Sequence, residues 1–252
     1  MKSVVAILRS VIVTTLFPFT VLVLGPTAML CHYLFQNRRL DDYWVSLWGR
    51  LCCRMSGVKV VVHGRENIPD VGCLFLFSHS SFFDVFAIAG YLPGVRFGAK
   101  AELFKIPIFS HTMRAMDTLP IARNNRDEVY KIYDEAKARF ANKEQFALSP
   151  EGGRFYGKEL SPFKAGPFLF AMSAGAPVVP VVILGAYEAL PKGEFLFNRR
   201  KISHTITMTI LEPVATAGFT PETRKELQKT VYERMNKIWV EQVTREQGGW
   251  HL

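Results

Sequence analysis

Cysteine is scarce in this 252-residue chain, with four residues in all: Cys52 and Cys53 are adjacent, Cys31 lies in an apolar run, and Cys73 begins an apolar stretch. That number and spacing exclude a disulfide-stapled secreted scaffold and predict buried, reduced thiols. The six His, at positions 32, 63, 79, 111, 204 and 251, supply no Cys/His pair with zinc-ligand spacing, so no metal is expected. No Pro/Gly/Ser linker divides residues 57–252, and neither a heptad nor a collagen repeat occurs. Only 21% of residues are charged while 20 are Phe, which excludes a disordered chain.

The most local absence is one of charge. From Ser10 to Asn37 there is no Lys, Arg, Asp or Glu, and 17 of these 28 residues are apolar. A spanning helix needs about 20 apolar residues, so the run is long enough. Pro18 and Gly25-Pro26 interrupt it, and both flanks are basic, with Lys2 and Arg9 before and Arg38 and Arg39 after. This pattern predicts a two-helix or re-entrant anchor broken near Gly25-Pro26, with both ends on the cytoplasmic face. A cleaved signal peptide fits less well, because its apolar region would stop after about 7–15 residues. Tyr43, Trp44 and Trp48 beside Arg50 and Arg54 read either as an interfacial helix or as ordinary packing against the globular part.

What is present in excess is positive charge, a formal +9. Residues 1–65 carry +6 of it, from eight Lys/Arg against Asp41 and Asp42. The basic signal is therefore mainly one of attachment to an anionic membrane. Two domains are expected: residues 1–56 as an N-terminal helical membrane anchor and residues 57–252 as a catalytic domain.

Beyond Gly57, short β-rich runs at 58–63, 73–78, 96–99, 118–122, 146–149, 178–184 and 205–211 alternate with helical patterns at 82–91, 125–141, 165–174 and 221–247. The alternation predicts an α/β fold, a mixed and largely buried sheet flanked by helices.

Four segments carry candidate chemistry. In Ser78-His79-Ser80-Ser81-Phe82-Phe83-Asp84, an apolar strand ends at a His, two Ser follow as helix caps, and Asp84 falls on the next first turn. Asp84 folded back onto Nδ1 of His79 would leave Nε2 as a general base, with helix N–H groups nearby for an oxyanion. Read alone, the same residues also fit a capped core histidine. Ser149-Pro150-Glu151-Gly152-Gly153-Arg154 has the form of a ligand loop: two glycines permit close approach, and Arg154 offers a fork for phosphate that Glu151 could hold. Leu119-Pro120-Ile121-Ala122-Arg123 places an Arg after an apolar strand, and Val178-Val179-Pro180-Val181 is a proline-shaped strand.

In this order and spacing the four blocks resemble those of the glycerolipid acyltransferase family that includes 1-acyl-glycerol-3-phosphate acyltransferases. Residues 99–109 and Phe163-Lys164-Ala165-Gly166 extend the resemblance, which covers roughly 58–190. The resemblance implies acyl transfer without a covalent enzyme intermediate. His79, oriented by Asp84, would deprotonate an acceptor hydroxyl that attacks the thioester of acyl-CoA or acyl-ACP, a co-substrate rather than a cofactor. It also implies that Arg123, Glu151, Gly152, Gly153 and Arg154 bind the acceptor and its phosphate, with Lys100 assisting, and that Pro180 shapes the pocket. The expected acceptor is 1-acyl-sn-glycerol 3-phosphate, giving phosphatidic acid at the cytoplasmic face of the inner or plasma membrane.

Family members usually carry Thr or Ser where Gly153 stands and often Phe where Ser149 stands. These departures leave other acceptors open: another lysophospholipid, glycerol 3-phosphate or a lyso-aminolipid. A serine lipid hydrolase is the rival from Ala171-Met172-Ser173-Ala174-Gly175, although the nucleophile elbow needs a strand-to-helix turn and Ser173 falls near a helix end. Arg199-Arg200-Lys201 suggests nucleic acid, but no recognition motif accompanies it, so no nucleic-acid partner is expected.

Overall fold

The computed structural model describes residues 2–92, 94–121 and 125–248. Two helices, α1 (Lys2–Phe35) and α2 (Arg38–Met55), precede an α/β domain. Its strands are β1 (Val58–His63), β2 (Leu74–Phe77), β3 (Val95–Lys100), β4 (Leu119–Ile121), β5 (Gln145–Leu148), β6 (Val178–Leu184) and β7 (His204–Ile210). The helices between and after them are α3 (Phe83–Tyr91), α4 (Phe109–Ala115), α5 (Arg126–Lys137), α6 (Ala165–Ser173), α7 (Ala186–Ala189) and α8 (Arg224–Gly248).

The strands form one seven-stranded sheet in the order β1-β7-β6-β2-β5-β3-β4. Every pairing is parallel except β6 with β7. Both faces of the centre are covered, which is why β2 (LFLF) and β6 (VVPVVIL) are apolar throughout. Side chains alternate across the sheet. Phe75, Phe77, Val179, Val181 and Ile183 join Cys52, Cys53, Phe83 and Phe86 in one buried layer. Leu74, Leu76, Val178, Val182 and Leu184 join Phe168, Phe170, Met235 and Trp239 in the other. The buried thiols of Cys52, Cys53 and Cys73 are each pushed up to about 12 by burial, so they stay protonated.

Contrary to the expected break at Gly25-Pro26, α1 is one continuous helix of 34 residues with Pro18 and Pro26 inside it. The chain turns instead at Gln36, whose φ is 45°, and Asn37 then caps α2 through its side chain on Arg39 N–H. Each proline removes a backbone donor. Near them Thr20 and Thr27 return their hydroxyls to the carbonyls of Phe17 and Val23, both at 2.7 Å. A stripe of buried positions, Ala6, Ser10, Val13, Gly25 and Ala28, runs lengthwise against the rest of the protein. That packing outweighs a local proline preference.

Both ends of α1 are tied to the body. The Arg9 guanidinium donates to the carbonyls of Asn198 (2.8 Å), Lys201 (2.7 Å) and Ile202, and His32 Nδ1 meets Asp41 Oδ2 of α2 at 3.0 Å. The outward face is apolar, with Val4, Val5, Leu8, Ile12, Leu16, Phe19, Val23 and Leu34 exposed. Of the described helices α1 is the one long and apolar enough to cross a membrane.

Helix α2 is fastened to α3 by a close approach that only glycine permits: a Cβ on Gly49 would lie 2.5 Å from Gly90 N. Trp48 packs edge-on against Phe86 (5.1 Å between centroids) and Trp44 against the Ala28–Ala115–Met116 cluster, while Tyr43 is exposed. The packing reading thus holds for the two tryptophans, and Tyr43 stays outside. An ion-pair cluster completes the joint: Arg96 with Asp42 (2.6 Å), Arg38 with Glu144 (2.6 Å), and Arg139 with Glu144 (2.5 Å).

Candidate active site

Because β2, β3, β4 and β5 are neighbours and parallel, their carboxyl ends lie along one edge of the sheet, where ligand crevices form in such folds. His79 follows the end of β2, Lys100 closes β3, and Ser149 to Arg154 follow β5. Arg123 follows β4 in sequence but lies outside the described residues.

The His79 turn is held on every side. Ser78 N–H bonds to Val181 O (3.0 Å), and the buried Ser78 hydroxyl accepts from Ile183 N–H (2.8 Å), so β2 ends locked against β6. Ser81 donates its hydroxyl to Leu190 O (2.8 Å) and accepts from Phe83 N–H (3.2 Å), but contrary to expectation neither Ser is the N-cap of α3, which is Phe82 without a side-chain cap bond. Asp84 is fully buried, and its Oδ2 accepts from Ser80 N–H and Ser81 N–H, each at 2.8 Å, and meets His79 Nδ1 at 3.0 Å. An oxygen already accepting two amide hydrogens acts as an acceptor toward the third partner, so Nδ1 carries the imidazole proton and Nε2 its lone pair. Burial pushes the Asp84 carboxyl up, against the opposing pull of His79 and the Ser81 and Ser80 amides. His79 Nε2 has no hydrogen-bond partner among the described residues, and the ring lines a cavity.

Of the expected oxyanion donors four are engaged, while the Phe82 N–H has no hydrogen-bond partner among the described residues. The amides of Ser80 and Ser81 serve Asp84, that of Phe83 serves the Ser81 hydroxyl, and that of Asp84 bonds to Ser81 O (3.4 Å). The turn uses its own N–H groups to place the carboxylate.

Glu151 also departs from its expected role. Its Oε1 accepts from the His79 main-chain N–H at 2.9 Å, and its Oε2 accepts from Ser161 N–H (3.1 Å) and Ser161 Oγ (2.8 Å). Both oxygens are therefore engaged by the chain rather than turned to an acceptor or to Arg154. Burial pushes this carboxyl up, opposed by the His79 amide and by Ser161. Phe155 N–H donates to His79 O at 2.8 Å, so the loop after β5 grips His79 by both main-chain groups.

Gly152 adopts φ +74°, where a side chain would be strained, and a Cβ there would crowd the Lys164 stem at 3.3 Å. Lys164 itself is fixed through its main chain to Pro150 O (2.6 Å). Arg154 and Lys164 line the cavity, and their side chains have no ion-pair partner among the described residues. Lys100 also lines it but pairs with Glu102 at 3.4 Å. Gly153 lies on the loop without contributing to the wall, and Pro180 is buried in β6 opposite Leu76, away from the wall. Ser149 does line the cavity.

The cavity measures about 890 Å³. His79 and the cationic side chains line it, and most of the rest is apolar, including Leu24 and Ala28 of α1, Trp44 and Trp48 of α2, and Met113 of α4. Lys164, Ser161, Leu24, Ala28 and Met113 belong to the site or its wall and were not selected from the sequence, which had marked Trp44 and Trp48 only as interfacial or packing residues. Only the Phe163-Lys164-Ala165-Gly166 segment carried a signal. Ser173 ends α6 and donates its hydroxyl to Phe170 O (2.9 Å), which is not a nucleophile elbow.

The chain is similar to several known proteins over this region. A family model described as Acyltransferase matches residues 59–184, half of the chain. The chloroplastic 1-acyl-sn-glycerol-3-phosphate acyltransferase of Brassica napus is 26% identical over 159 residues, covering 62% of this chain and 46% of that protein. The 1-acyl-sn-glycerol-3-phosphate acyltransferase of Saccharomyces cerevisiae is 29% identical over 185 residues, 72% of this chain and 60% of its own. That of Escherichia coli is 28% identical over 176 residues, 68% and 70% respectively. The chain thus spans about half the length of the first of these curated relatives. The crystal structure of the 1-acyl-sn-glycerophosphate (LPA) acyltransferase from Thermotoga maritima superposes with a TM-score of 0.79 at 28% identity, covering 94% of this chain and 97% of that one. With the matched region enclosing His79, Asp84 and the 149–154 loop, the chain belongs to the acyltransferase family.

Proposed function

We propose that the protein moves a fatty acyl chain from acyl-CoA or acyl-ACP to the free hydroxyl of 1-acyl-sn-glycerol 3-phosphate, giving phosphatidic acid. One observation carries this reading: His79, whose Nε2 has no hydrogen-bond partner among the described residues, lines a large, mostly apolar cavity together with Arg154 and Lys164. An acyl chain suits the apolar wall, and a phosphate suits the cations that line it.

His79 Nε2 takes the proton of the acceptor hydroxyl as its oxygen bonds to the thioester carbonyl carbon. The C–S bond then breaks, and the imidazolium returns the proton to the departing sulfur. Asp84 keeps the ring in the required tautomer and stabilises the transient positive charge. Arg154 and Lys164 hold the acceptor phosphate, Lys100 assists, and Arg123 is assigned to the same phosphate from its place after β4.

The enzyme works at the cytoplasmic face of a membrane, with α1 lying along the bilayer surface. The exposed apolar face of α1 supports this, as does the attachment of both helix ends to the catalytic body. The test is turnover of purified protein with both thioester donors and a panel of acceptors: 1-acyl-sn-glycerol 3-phosphate, other lysophospholipids, glycerol 3-phosphate and water. Phosphatidic acid as the main product supports the proposal, whereas free fatty acid as the main product contradicts it.

A further inference from the structure

The connection between β6 and β7 contains the basic tripeptide Arg199-Arg200-Lys201, which acyl transfer does not use. It also contains Phe195, which at 81% exposure is the most exposed large apolar side chain described. The segment around it is firmly placed. Phe197, two residues on, is buried against Phe17 and Phe83, and the buried Asn198 side chain donates to Ser56 O (2.9 Å). Thr14 of α1 donates its hydroxyl to Phe195 O (3.3 Å) and accepts from Phe197 N–H (3.1 Å), while Arg9 holds the carbonyls of Asn198, Lys201 and Ile202. Phe195 is thus set beside α1 at the level of Thr14, one turn from the exposed Val11 at the edge of the apolar face.

Residues 192–201 carry Lys192, Arg199, Arg200 and Lys201 against one acid, Glu194. Glu194 pairs with Arg199 (2.7 Å) and Arg200 (3.0 Å), which leaves the segment at +3. An outward aromatic side chain on a cation-rich segment, next to the edge of an apolar helix face, has the chemistry of a bilayer contact.

We propose that the β6–β7 connection is a second membrane-docking element, inserting Phe195 among acyl chains while its cations meet anionic headgroups. The proposal rests on the reading that α1 lies in the bilayer surface. It extends the contact from one helix to a two-part face beside the loop that carries Arg154, whose carbonyl accepts from Lys192 Nζ at 3.4 Å.

The experiment uses the full chain with vesicles of phosphatidylcholine, alone or mixed with phosphatidylglycerol. Phe195→Trp reports insertion as quenching by brominated acyl chains beyond that of the native tryptophans. Phe195→Ser should weaken partition at limiting lipid by about tenfold. Arg199→Gln with Arg200→Gln should weaken it by at least about fivefold on the anionic vesicles only. Turnover on substrates dispersed in detergent should be unchanged in each variant. Leu16→Glu in α1 tests the underlying reading separately. If Leu16→Glu lowers partition while Phe195→Ser does not and Phe195→Trp is unquenched, the docking element is overturned and the α1 reading stands. If Leu16→Glu leaves partition unchanged, the α1 reading fails and the proposal with it. If the arginine variant raises the KM for acyl-ACP with no change in partition, the surface receives an acidic protein and the proposal is likewise overturned.

Discussion

Glu151 holds His79 by its main chain: its Oε1 lies 2.9 Å from the His79 amide nitrogen, and its other oxygen is bound by Ser161. The carboxylate therefore joins the turn after β2 to the segment before α6. In the proposed reaction it acts through the placement of the imidazole, as a positioning residue.

Glu151→Gln replaces an accepting oxygen with a donor that faces either the His79 amide or the two Ser161 donors. The expected result is a kcat lower by about tenfold to a hundredfold, from a displaced base, with acceptor KM nearly unchanged. Steady-state kinetics separate the two parameters. A large rise in acceptor KM at constant kcat would return Glu151 to the acceptor site.

Arg154→Ala and Lys164→Ala remove the cations placed on the phosphate. Each should lower kcat/KM for a phosphorylated acceptor by about tenfold to a hundredfold, with the KM for the thioester nearly constant. A loss confined to the thioester would contradict the assignment.

Glu144 ties α2 to the sheet through Arg38 (2.6 Å) and Arg139 (2.5 Å). Burial alone would push its carboxyl up, but the two guanidiniums overcome this and hold it below the ordinary carboxylate range. A depressed value in the folded state means that the contribution is present above the unfolded value of about 4.3 and is lost as pH falls through the folded one. Unfolding free energies from denaturant titration of wild type and Glu144→Gln should therefore differ by about 1–3 kcal/mol near neutrality and converge in acid. A gap that widens in acid would contradict this sign.

The attachment of α1 at Arg9 and His32 predicts that both of its ends stay on the side of the catalytic domain. Impermeant labelling of single cysteines placed at Ser3 and Lys59 in sealed vesicles should modify both or neither. Modification of only one would show that α1 crosses the bilayer.

The strands and the His79–Asp84 pair were legible in the sequence because their determinants are local. Leu74 to Phe77 and Val178 to Leu184 are apolar on both faces, and Asp84 reaches back over one turn. Features set by distant partners were not legible. Glu151 finds its partner 72 positions away in a main-chain amide, which has no side-chain signature. The continuity of α1 through Pro18 and Pro26 depends on packing against the body, whereas propensity alone argues for a break. The cavity wall from Leu24, Trp44 and Met113 likewise exists only once three helices have come together.

The most direct measurement is turnover of wild type and His79→Ala with 1-acyl-sn-glycerol 3-phosphate and an acyl thioester, following released thiol and diacyl product together. The account predicts equal thiol and phosphatidic acid from wild type, and a loss of about 10²-fold to 10⁴-fold in a His79→Ala protein whose circular dichroism is unchanged. Near-normal turnover by folded His79→Ala would contradict it.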